Sequence, residues 1–217
     1  MNVIGTYRVR VRGSLACFTR PELKTERVSY EVVTPSAARG ILEAILWKPA
    51  IFWHIRRIGL LSPPRFIQFK RNEVNSRAST RNALSCERSG QALDFYADED
   101  RAQRNTVALR DVDYAIEAEM LMTPRSGPDD NARKFDDMFR RRLERGQHYV
   151  PPYLGCREFP AIVEPYNGSP PPLANENRDI GLMLHDIRYS KGKNAAVFFR
   201  AQIQNGVIEV PPWEPQA

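Results

Sequence analysis

Basic side chains are interleaved with aromatic ones in segment 18–49 of this 217-residue chain. The first half of the segment carries three cations at short intervals: Arg20, Lys24 and Arg27. The second half ends on Trp47 and Lys48. Cations suit a phosphate backbone, and aromatic rings stack on unpaired bases. The segment therefore predicts a surface that binds single-stranded RNA. A solvated strand edge followed by a core helix is the alternative.

The composition favours a polyanionic partner. The formal net charge is +6, and the positive excess is mostly arginine, whose planar guanidinium grips phosphate and stacks on bases. Cys17, Cys86 and Cys156 are widely spaced without a CxxC pair, which predicts neither a zinc site nor a disulfide framework. We therefore expect a cytoplasmic protein that needs no metal or other cofactor. No apolar run approaches 18 residues, so we expect no membrane association.

Hydrophobic periodicity predicts the elements that would position the cations. Segment 7–12 alternates apolar residues with arginines, as a strand with one basic face does, and that face could meet either RNA or water. Thr34 and Pro35 predict the cap and first turn of a helix that ends before Pro49. The apolar residues within it recur at the spacing of one buried helix face.

Further strands and a second helix predict the fold class. Strands are expected over 51–61, 66–69, 107–122 and 156–164. A second helix follows residue 131, with an apolar stripe from Phe135 to Leu143, and Gly146 ends it. Four of these strands and the two helices follow the order β-α-β-β-α-β, which predicts an α+β protein with a ferredoxin-like domain, as in RNA-recognition motifs. Because each helix has a single apolar stripe, we expect both on one face of a four-stranded antiparallel sheet.

Two polar regions divide the chain. Residues 72–105 contain few apolar side chains and read as an insertion that projects from the domain as a hairpin or thumb. The proline-rich stretch 165–178 reads as a linker, and the strands expected after it, with a turn at Asn205-Gly206, predict a small antiparallel C-terminal sheet. The expected organisation is thus an RNA-binding domain over 1–164 and a linker with the second sheet over 165–217.

Five stretches in order resemble the Cas-five proteins of type I-C CRISPR systems. They are segment 18–49, KRNEV at 70–74, RDVDYAIEA at 110–118, NARKFDDMFRRR at 131–142 and PYLGCREFPA at 152–161. The resemblance covers most of the chain and implies a subunit of Cascade, the crRNA-bearing surveillance complex. The implied partners are crRNA and its repeat-containing precursor, the Cascade backbone subunits, the large subunit and, indirectly, target DNA. It also implies that the thumb contacts guide RNA and the neighbouring backbone subunit.

The resemblance implies catalysis as well as binding. Type I-C Cas-five proteins cut the repeat RNA of the precursor without a metal, and attack by the 2′-hydroxyl leaves a cyclic phosphate. This chemistry needs a base, a cation for the charge of the phosphorane and an acid for the leaving oxygen. The family's lysine falls on Lys134. Its tyrosine and histidine fall on Leu46 and Phe135, which cannot titrate.

Lys134 and His148 are the candidate catalytic residues. On a helical wheel Lys134 lies about 40° from Met138, at the border of the apolar stripe, where partial desolvation could tune it. An ordinary snorkelling lysine is the alternative. His148 lies in the loop after the second helix and could carry a proton. The candidate RNA ligands in the matching segments and that loop are Arg20, Lys24, Arg27, Arg39, Trp47, Lys48, Lys70, Arg71, Tyr149 and Arg157.

Three functions remain open from the sequence. The first is a metal-independent endoribonuclease that matures precursor crRNA and stays on the 5′ handle. The second is a handle-binding structural subunit without catalysis, which the apolar residues Leu46 and Phe135 favour. The third, a generic RNA-binding module, explains the arginines but not the matching segments.

Overall fold

The computed structural model describes residues 2–23, 26–189 and 194–212. Nine strands and three helices follow one another in this part of the chain. They are β1 (Asn2–Ala16), β2 (Arg27–Val28), α1 (Pro35–Ile45), β3 (Ile51–Leu60), β4 (Phe66–Val74), α2 (Thr80–Ser89), β5 (Arg101–Met122), α3 (Ala132–Glu144), β6 (Ile162–Pro165), β7 (Arg178–Arg188), β8 (Ala195–Ile203) and β9 (Val207–Glu209).

The main sheet is built around β5. Its strands lie in the order β6-β1-β5-β3-β9, and β2 and β4 pair with a further part of β5. The strands β1, β3, β5 and β6 come from the predicted β-α-β-β-α-β order and lie side by side as antiparallel neighbours. The mixed α+β class with one main antiparallel sheet and a small second sheet is confirmed. The finer ferredoxin-like assignment stays a prediction.

Two strands pair with successive parts of β5 along one of its edges. β3 pairs with its residues 114–122 and β4 pairs with its residues 101–109. Asp111 lies between the two pairings with a positive φ of 52°, a conformation that aspartate tolerates better than most residues. The strand predicted over 66–69 is present, and it is longer than predicted because its pairing with β5 continues to Val74. β4 and the first half of β5 therefore extend the sheet as a two-stranded ribbon.

The segment at the end of this ribbon is exposed. It carries α2, which has no buried residue, and its described neighbours in 75–100 are almost all solvent-facing. None of the described helices is both long and apolar enough to cross a membrane.

α1 and α3 pack on the same face of the main sheet, as their single apolar stripes predict. Thr34 and Asn131 cap them, each side chain accepting a backbone N–H three residues on. The ring of Phe139 in α3 lies 4.9 Å from Tyr7 of β1 and 4.6 Å from Trp53 of β3, measured between centroids. These contacts join α3 to the sheet, and the buried residues of α1 belong to the same core.

The C-terminal part contributes to two sheets. β7 and β8 form the expected separate antiparallel pair. Asn205 and Gly206 both have positive φ and make the expected turn, but β9 then pairs with β3 at the edge of the main sheet. The strand expected over 156–164 is shorter, since only β6 is extended and a turn from Cys156 to Phe159 interrupts the segment. The division into domains at residue 164 stays a prediction.

Candidate functional site

Lys134 is an exposed cation held in a defined place in the first turn of α3. Its Nζ lies 3.0 Å from Oδ1 of Asp130 and 5.5 Å from the ring centroid of Phe135. The side chain keeps 42% of its surface exposed. The hydrogen bond from the backbone N–H of Gly127, followed by the contact with Lys134, lowers the pKa of Asp130. Asp130 is thus a carboxylate that orients the ammonium group without burying it.

Segment 46–50 connects α1 to β3 and is anchored at both ends by hydrogen bonds. At one end, Nη1 of Arg142 donates to the carbonyl of Ile45 over 2.7 Å. At the other, Oγ1 of Thr123 donates to the carbonyl of Pro49 over 2.7 Å. Trp47 and Lys48 lie between these anchors with exposed side chains, and the charge of Lys48 also lowers the pKa of Asp130. The charge of Lys48 therefore acts on the carboxylate that holds Lys134, and the exposed indole of Trp47 is its neighbour in the chain. We call these three residues the α3 surface (Trp47, Lys48, Lys134).

The two residues without titratable groups point into the core. Leu46 is 0% exposed and Phe135 is 1% exposed. Trp53 covers Leu46, and its Nε1 donates to the Leu46 carbonyl over 2.9 Å. An acid or base at either position would have to be accommodated by a closely packed apolar environment. Neither position supplies a proton carrier to the α3 surface in this chain.

His148 and Tyr149 lie at the other end of α3 from Lys134. The backbone N–H of Tyr149 donates to the carbonyl of Ala44 over 2.8 Å, which fixes the loop against the last turn of α1. Tyr149 is 86% exposed, and His148 is also exposed. An α-helix rises 1.5 Å per residue, so the ten residues from Lys134 to Glu144 separate the two ends by about 15 Å. The structure does not place Lys134 and His148 in contact.

Arg27 and Arg71 meet in a second cluster, on the ribbon side of the sheet, where carboxylates already pair with them. Nη2 of Arg27 lies 2.9 Å from Glu73, and both arginines contact Glu158. Because these ion pairs compete with phosphate, Arg27 and Arg71 are less available for RNA than the sequence suggests.

The same cluster contains two neighbouring thiols. A hydrogen bond with the Cys156 thiol lowers the pKa of Cys17 to about 7, and the charges of Arg27 and Arg71 act in the same direction. The same hydrogen bond, followed by burial, raises the pKa of Cys156. Cys17 is the group that ionises first in this pair.

The remaining candidates are dispersed. The guanidinium of Arg20 stacks 4.5 Å from the ring centroid of Tyr30. Arg39 is engaged inside the protein, with Glu43 at 2.9 Å and Asp186 at 2.8 Å, and so joins α1 to β7. The side chains of Lys70 and Arg157 are exposed, and Lys24 lies outside the described residues.

The basic face of β1 is matched by carboxylates. Arg8 lies 2.6 Å from Glu117, and Arg10 lies 2.6 Å from Asp113 and 3.5 Å from Glu164. Alternation along β1 is confirmed, since its apolar residues face the helices. The arginines on the other face form ion pairs across the strands, which makes this face much less cationic than the sequence of β1 alone indicates.

Asp130, Glu73 and Glu158 are the residues that the sequence analysis missed. Asp130 precedes Lys134 by four residues, a spacing of opposite charges that the sequence does carry. The two glutamates have no such signal, because they reach Arg27 across 46 and 131 positions. In the described ranges, no three His, Cys, Asp or Glu side chains lie close enough together to hold a metal ion.

The chain is similar to known proteins over nearly its whole length. The family model described as CRISPR-associated protein (Cas_Cas5) matches residues 6–211. A relative from Mannheimia succiniciproducens, named CRISPR pre-crRNA endoribonuclease Cas5d, is 46% identical over 95% of both chains. A protein of the same name from Thermus thermophilus is 40% identical over 94% of this chain and 90% of its own.

Two crystal structures share the fold. One is a functionally uncharacterized protein from Streptococcus mutans, with a TM-score of 0.72 and 20% identity over 98% of this chain and 95% of its own. The other is titled CRISPR-associated protein, with a TM-score of 0.72 and 22% identity over 98% of this chain and 94% of its own. The family match and the two endoribonuclease relatives together show that the chain belongs to the CRISPR-associated Cas5 family, in its Cas5d branch.

Proposed function

We propose that this chain is a pre-crRNA endoribonuclease that cuts the repeat RNA without a metal ion and keeps the 5′ handle of the product. The observation that carries the proposal is the exposed ammonium of Lys134, held by Asp130 beside Lys48 and Trp47. A cation pair next to an exposed aromatic ring can bind a phosphate and stack on the adjoining base. The names of the two relatives support the same activity.

In this reaction Lys134 is the group that stabilises the negative charge of the transition state. The 2′-hydroxyl loses its proton and attacks the adjacent phosphorus, and the bond from phosphorus to the 5′ oxygen breaks. The products are a 2′,3′-cyclic phosphate and a 5′-hydroxyl. The phosphorane carries more negative charge than the phosphodiester, so an ammonium that faces it stabilises the transition state more than the ground state.

The proton carriers differ from those of the family pattern. Leu46 and Phe135 are buried and cannot titrate. His148 and Tyr149 are the exposed titratable groups of the loop that follows α3. We assign to His148 the transfer of a proton and to Tyr149 the stacking of a base. Because about 15 Å of α3 separates them from Lys134, we propose that His148 transfers the proton only in a bound state in which its loop brings the imidazole to the phosphate that Lys134 contacts.

The candidate ligands suggest how the handle is retained. Lys48, Lys70 and Arg157 are exposed cations, and Arg20 lies against Tyr30 with part of its surface free. Arg27, Arg39 and Arg71 contribute less directly because each is ion-paired within the protein. We infer that the chain acts in the cytoplasm within a type I-C Cascade, in contact with the backbone subunits and the large subunit and through them with target DNA.

A second candidate is a subunit that binds the handle but does not cut. The observation in its favour is the burial of Leu46 and Phe135, since the residues that would titrate in the family pattern are replaced by core side chains. The α3 surface would then bind the handle phosphates without catalysing their cleavage.

Purified protein incubated with hairpin repeat RNA in EDTA separates the two candidates. We expect a single cut that leaves a cyclic phosphate, and no cut in RNA with a 2′-deoxy nucleotide at the cleavage position. Affinity for both RNAs should be equal, as measured by fluorescence anisotropy. Tight binding without any cut would favour the binding subunit, and a cut that depends on added metal would contradict the proposed mechanism.

A further inference from the structure

A cavity of about 390 Å³ opens beside α1. It is lined by the segment that follows β1, by α1, by the loop after α3 and by β7, and none of its lining residues is Trp47, Lys48 or Lys134. We call it the α1 cavity. Its size lies in the range of pockets that take small organic groups.

Gly40 is an exposed residue in the lining of the α1 cavity. This residue lies in the middle of α1, where alanine is preferred to glycine. A Cβ atom built on Gly40 would meet no atom within 4 Å, and its φ is not positive. Neither close packing nor backbone conformation therefore requires a glycine here. Gly40 therefore leaves this part of the lining without a side chain, one turn along the helix from Ala37, which also lines the cavity.

The walls combine an aromatic ring, apolar side chains and hydroxyl groups. Tyr153 lines the cavity and is 38% exposed, so one part of its ring is free to stack. Phe18 and Leu184 supply apolar wall, and Thr19 and Ser36 supply hydroxyls. No carboxylate is among the described lining residues. Such a pocket accepts a flat heteroaromatic group that needs both stacking and hydrogen bonds.

A cation, Arg20, is linked to the cavity wall through Tyr30. The backbone N–H of Leu184 donates to the hydroxyl of Tyr30 over 3.2 Å, and the guanidinium of Arg20 stacks on that tyrosine at 4.5 Å. Among the described residues, the acidic partner of Arg20 is Glu22 at 3.7 Å. A group whose flat part enters the cavity could thus place an attached anion at Arg20.

We propose that the α1 cavity receives one unstacked nucleobase of the bound RNA, which stacks on Tyr153 while its phosphate lies at Arg20. The inference rests on the proposed function, because it needs an RNA ligand. It adds a base-specific position to a surface that otherwise contacts phosphates. A single flipped base fits the observations better than an apolar peptide side chain, since hydroxyls line the pocket and a cation adjoins it.

Gly40→Phe adds an aromatic side chain to the lining of the α1 cavity, and Gly40→Ala is the matched control. Each protein is titrated with handle RNA and with a series in which one nucleotide at a time is abasic. We expect wild type to lose about tenfold in affinity at one abasic position, the usual scale of one stacked base. Gly40→Phe should bind intact RNA about tenfold more weakly and should be insensitive to that same abasic position. Gly40→Ala should match wild type.

The outcomes distinguish the cavity from the proposed function. Failure of wild type to bind RNA would overturn both. If wild type binds RNA but no abasic position weakens its affinity, the cavity assignment alone is overturned. The same holds if Gly40→Phe loses affinity at the same abasic position as wild type. An equal loss of affinity by Gly40→Phe for every RNA would indicate distortion of α1 and would also overturn the cavity assignment. Thermal unfolding followed by circular dichroism checks the fold, and Tyr153→Ala, which should lose the same abasic sensitivity, replaces Gly40→Phe if that variant does not fold.

Discussion

The ammonium of Lys134 and the carboxylate of Asp130 form an ion pair at the start of α3, with Nζ 3.0 Å from Oδ1. The pair is solvent-accessible, and the lysine keeps 42% of its side-chain surface exposed. Asp130 therefore positions the cation over the Phe135 ring while competing with any phosphate that approaches it. Binding of RNA at this place exchanges one anionic partner for another.

Replacing Lys134 by alanine should affect cleavage far more than binding. The ammonium faces charge that develops only in the transition state, and loss of such a group typically costs on the order of 100-fold in rate. We expect that loss in single-turnover cleavage of repeat RNA, with affinity reduced by less than about tenfold. Arg133→Ala is the control, because the Arg133 side chain is 92% exposed and pairs only loosely with Asp137 at 3.7 Å. Wild-type cleavage by Lys134→Ala would refute the catalytic assignment.

Asp130→Asn should raise the affinity for RNA. The change removes the charge that competes with phosphate, and an amide oxygen can still accept the N–H of Gly127. We expect a several-fold lower Kd at low salt, measured by anisotropy, and a smaller gain at high salt because the effect is electrostatic. Asp137→Asn, at an exposed pair on the same helix, should change the affinity less. An unchanged Kd in Asp130→Asn would place the RNA phosphates elsewhere.

RNA binding should weaken steeply as salt rises. Each phosphate of a single strand that a cation neutralises contributes about −0.7 to the slope of log K against log salt. Lys48→Ala should make the slope shallower by about that amount, since Lys48 is an exposed cation of the α3 surface. Arg20→Ala should weaken handle binding, and Arg27→Ala should weaken it less, because Arg27 is paired with Glu73 and Glu158. A salt-independent Kd would argue against phosphate contacts.

Tyr7→Phe should lower stability in a pH-dependent way. The hydroxyl of Tyr7 donates to Oδ1 of Asp136 over 2.6 Å, and burial followed by this hydrogen bond raises its pKa. A folded-state pKa above the unfolded value near 10 gives stability that is fully present below about pH 10 and lost as pH rises. The variant should lose about 1 kcal/mol in urea unfolding at pH 8.

The difference between wild type and Tyr7→Phe should shrink above about pH 10, because only wild type then has a hydroxyl to deprotonate. Tyr149→Phe is the matched control, since Tyr149 is 86% exposed. Its stability should equal that of wild type at either pH. A constant difference across the pH range would mean that Tyr7 does not titrate differently on unfolding.

Restoring the family pattern with Leu46→Tyr and Phe135→His should not be required for cleavage and should destabilise the protein. Both positions are buried, and an imidazole in place of Phe135 leaves polar atoms in an apolar core at a cost of about 2–4 kcal/mol. Denaturant unfolding measures that cost, and the EDTA cleavage assay measures activity. If the double variant cuts repeat RNA while wild type leaves it intact, the chain is a binding subunit that has lost the chemistry.

The sequence by itself determined the elements that depend on local pattern. α1 and α3 follow from capping residues at Thr34 and Asn131 and from apolar side chains at helical spacing, and both begin where those signals place them. The alternation along β1 and β5 likewise marks which residues face the core. Each of these signals lies within one turn or a few strand residues, so neighbouring positions alone carry it.

Only the tertiary structure decided which cations are available. Arg27 and Arg71 stand within matching segments, but pairing of β2, β4 and the loop after α3 brings Glu73 and Glu158 onto them. Arg39 is likewise made less available by its ion pair with Asp186 of β7. The course of segment 46–50 buries Leu46 while it exposes Lys48 near Asp130. These outcomes depend on strand register and on contacts between residues far apart in the chain, where a shift of one residue would exchange the two faces of a strand.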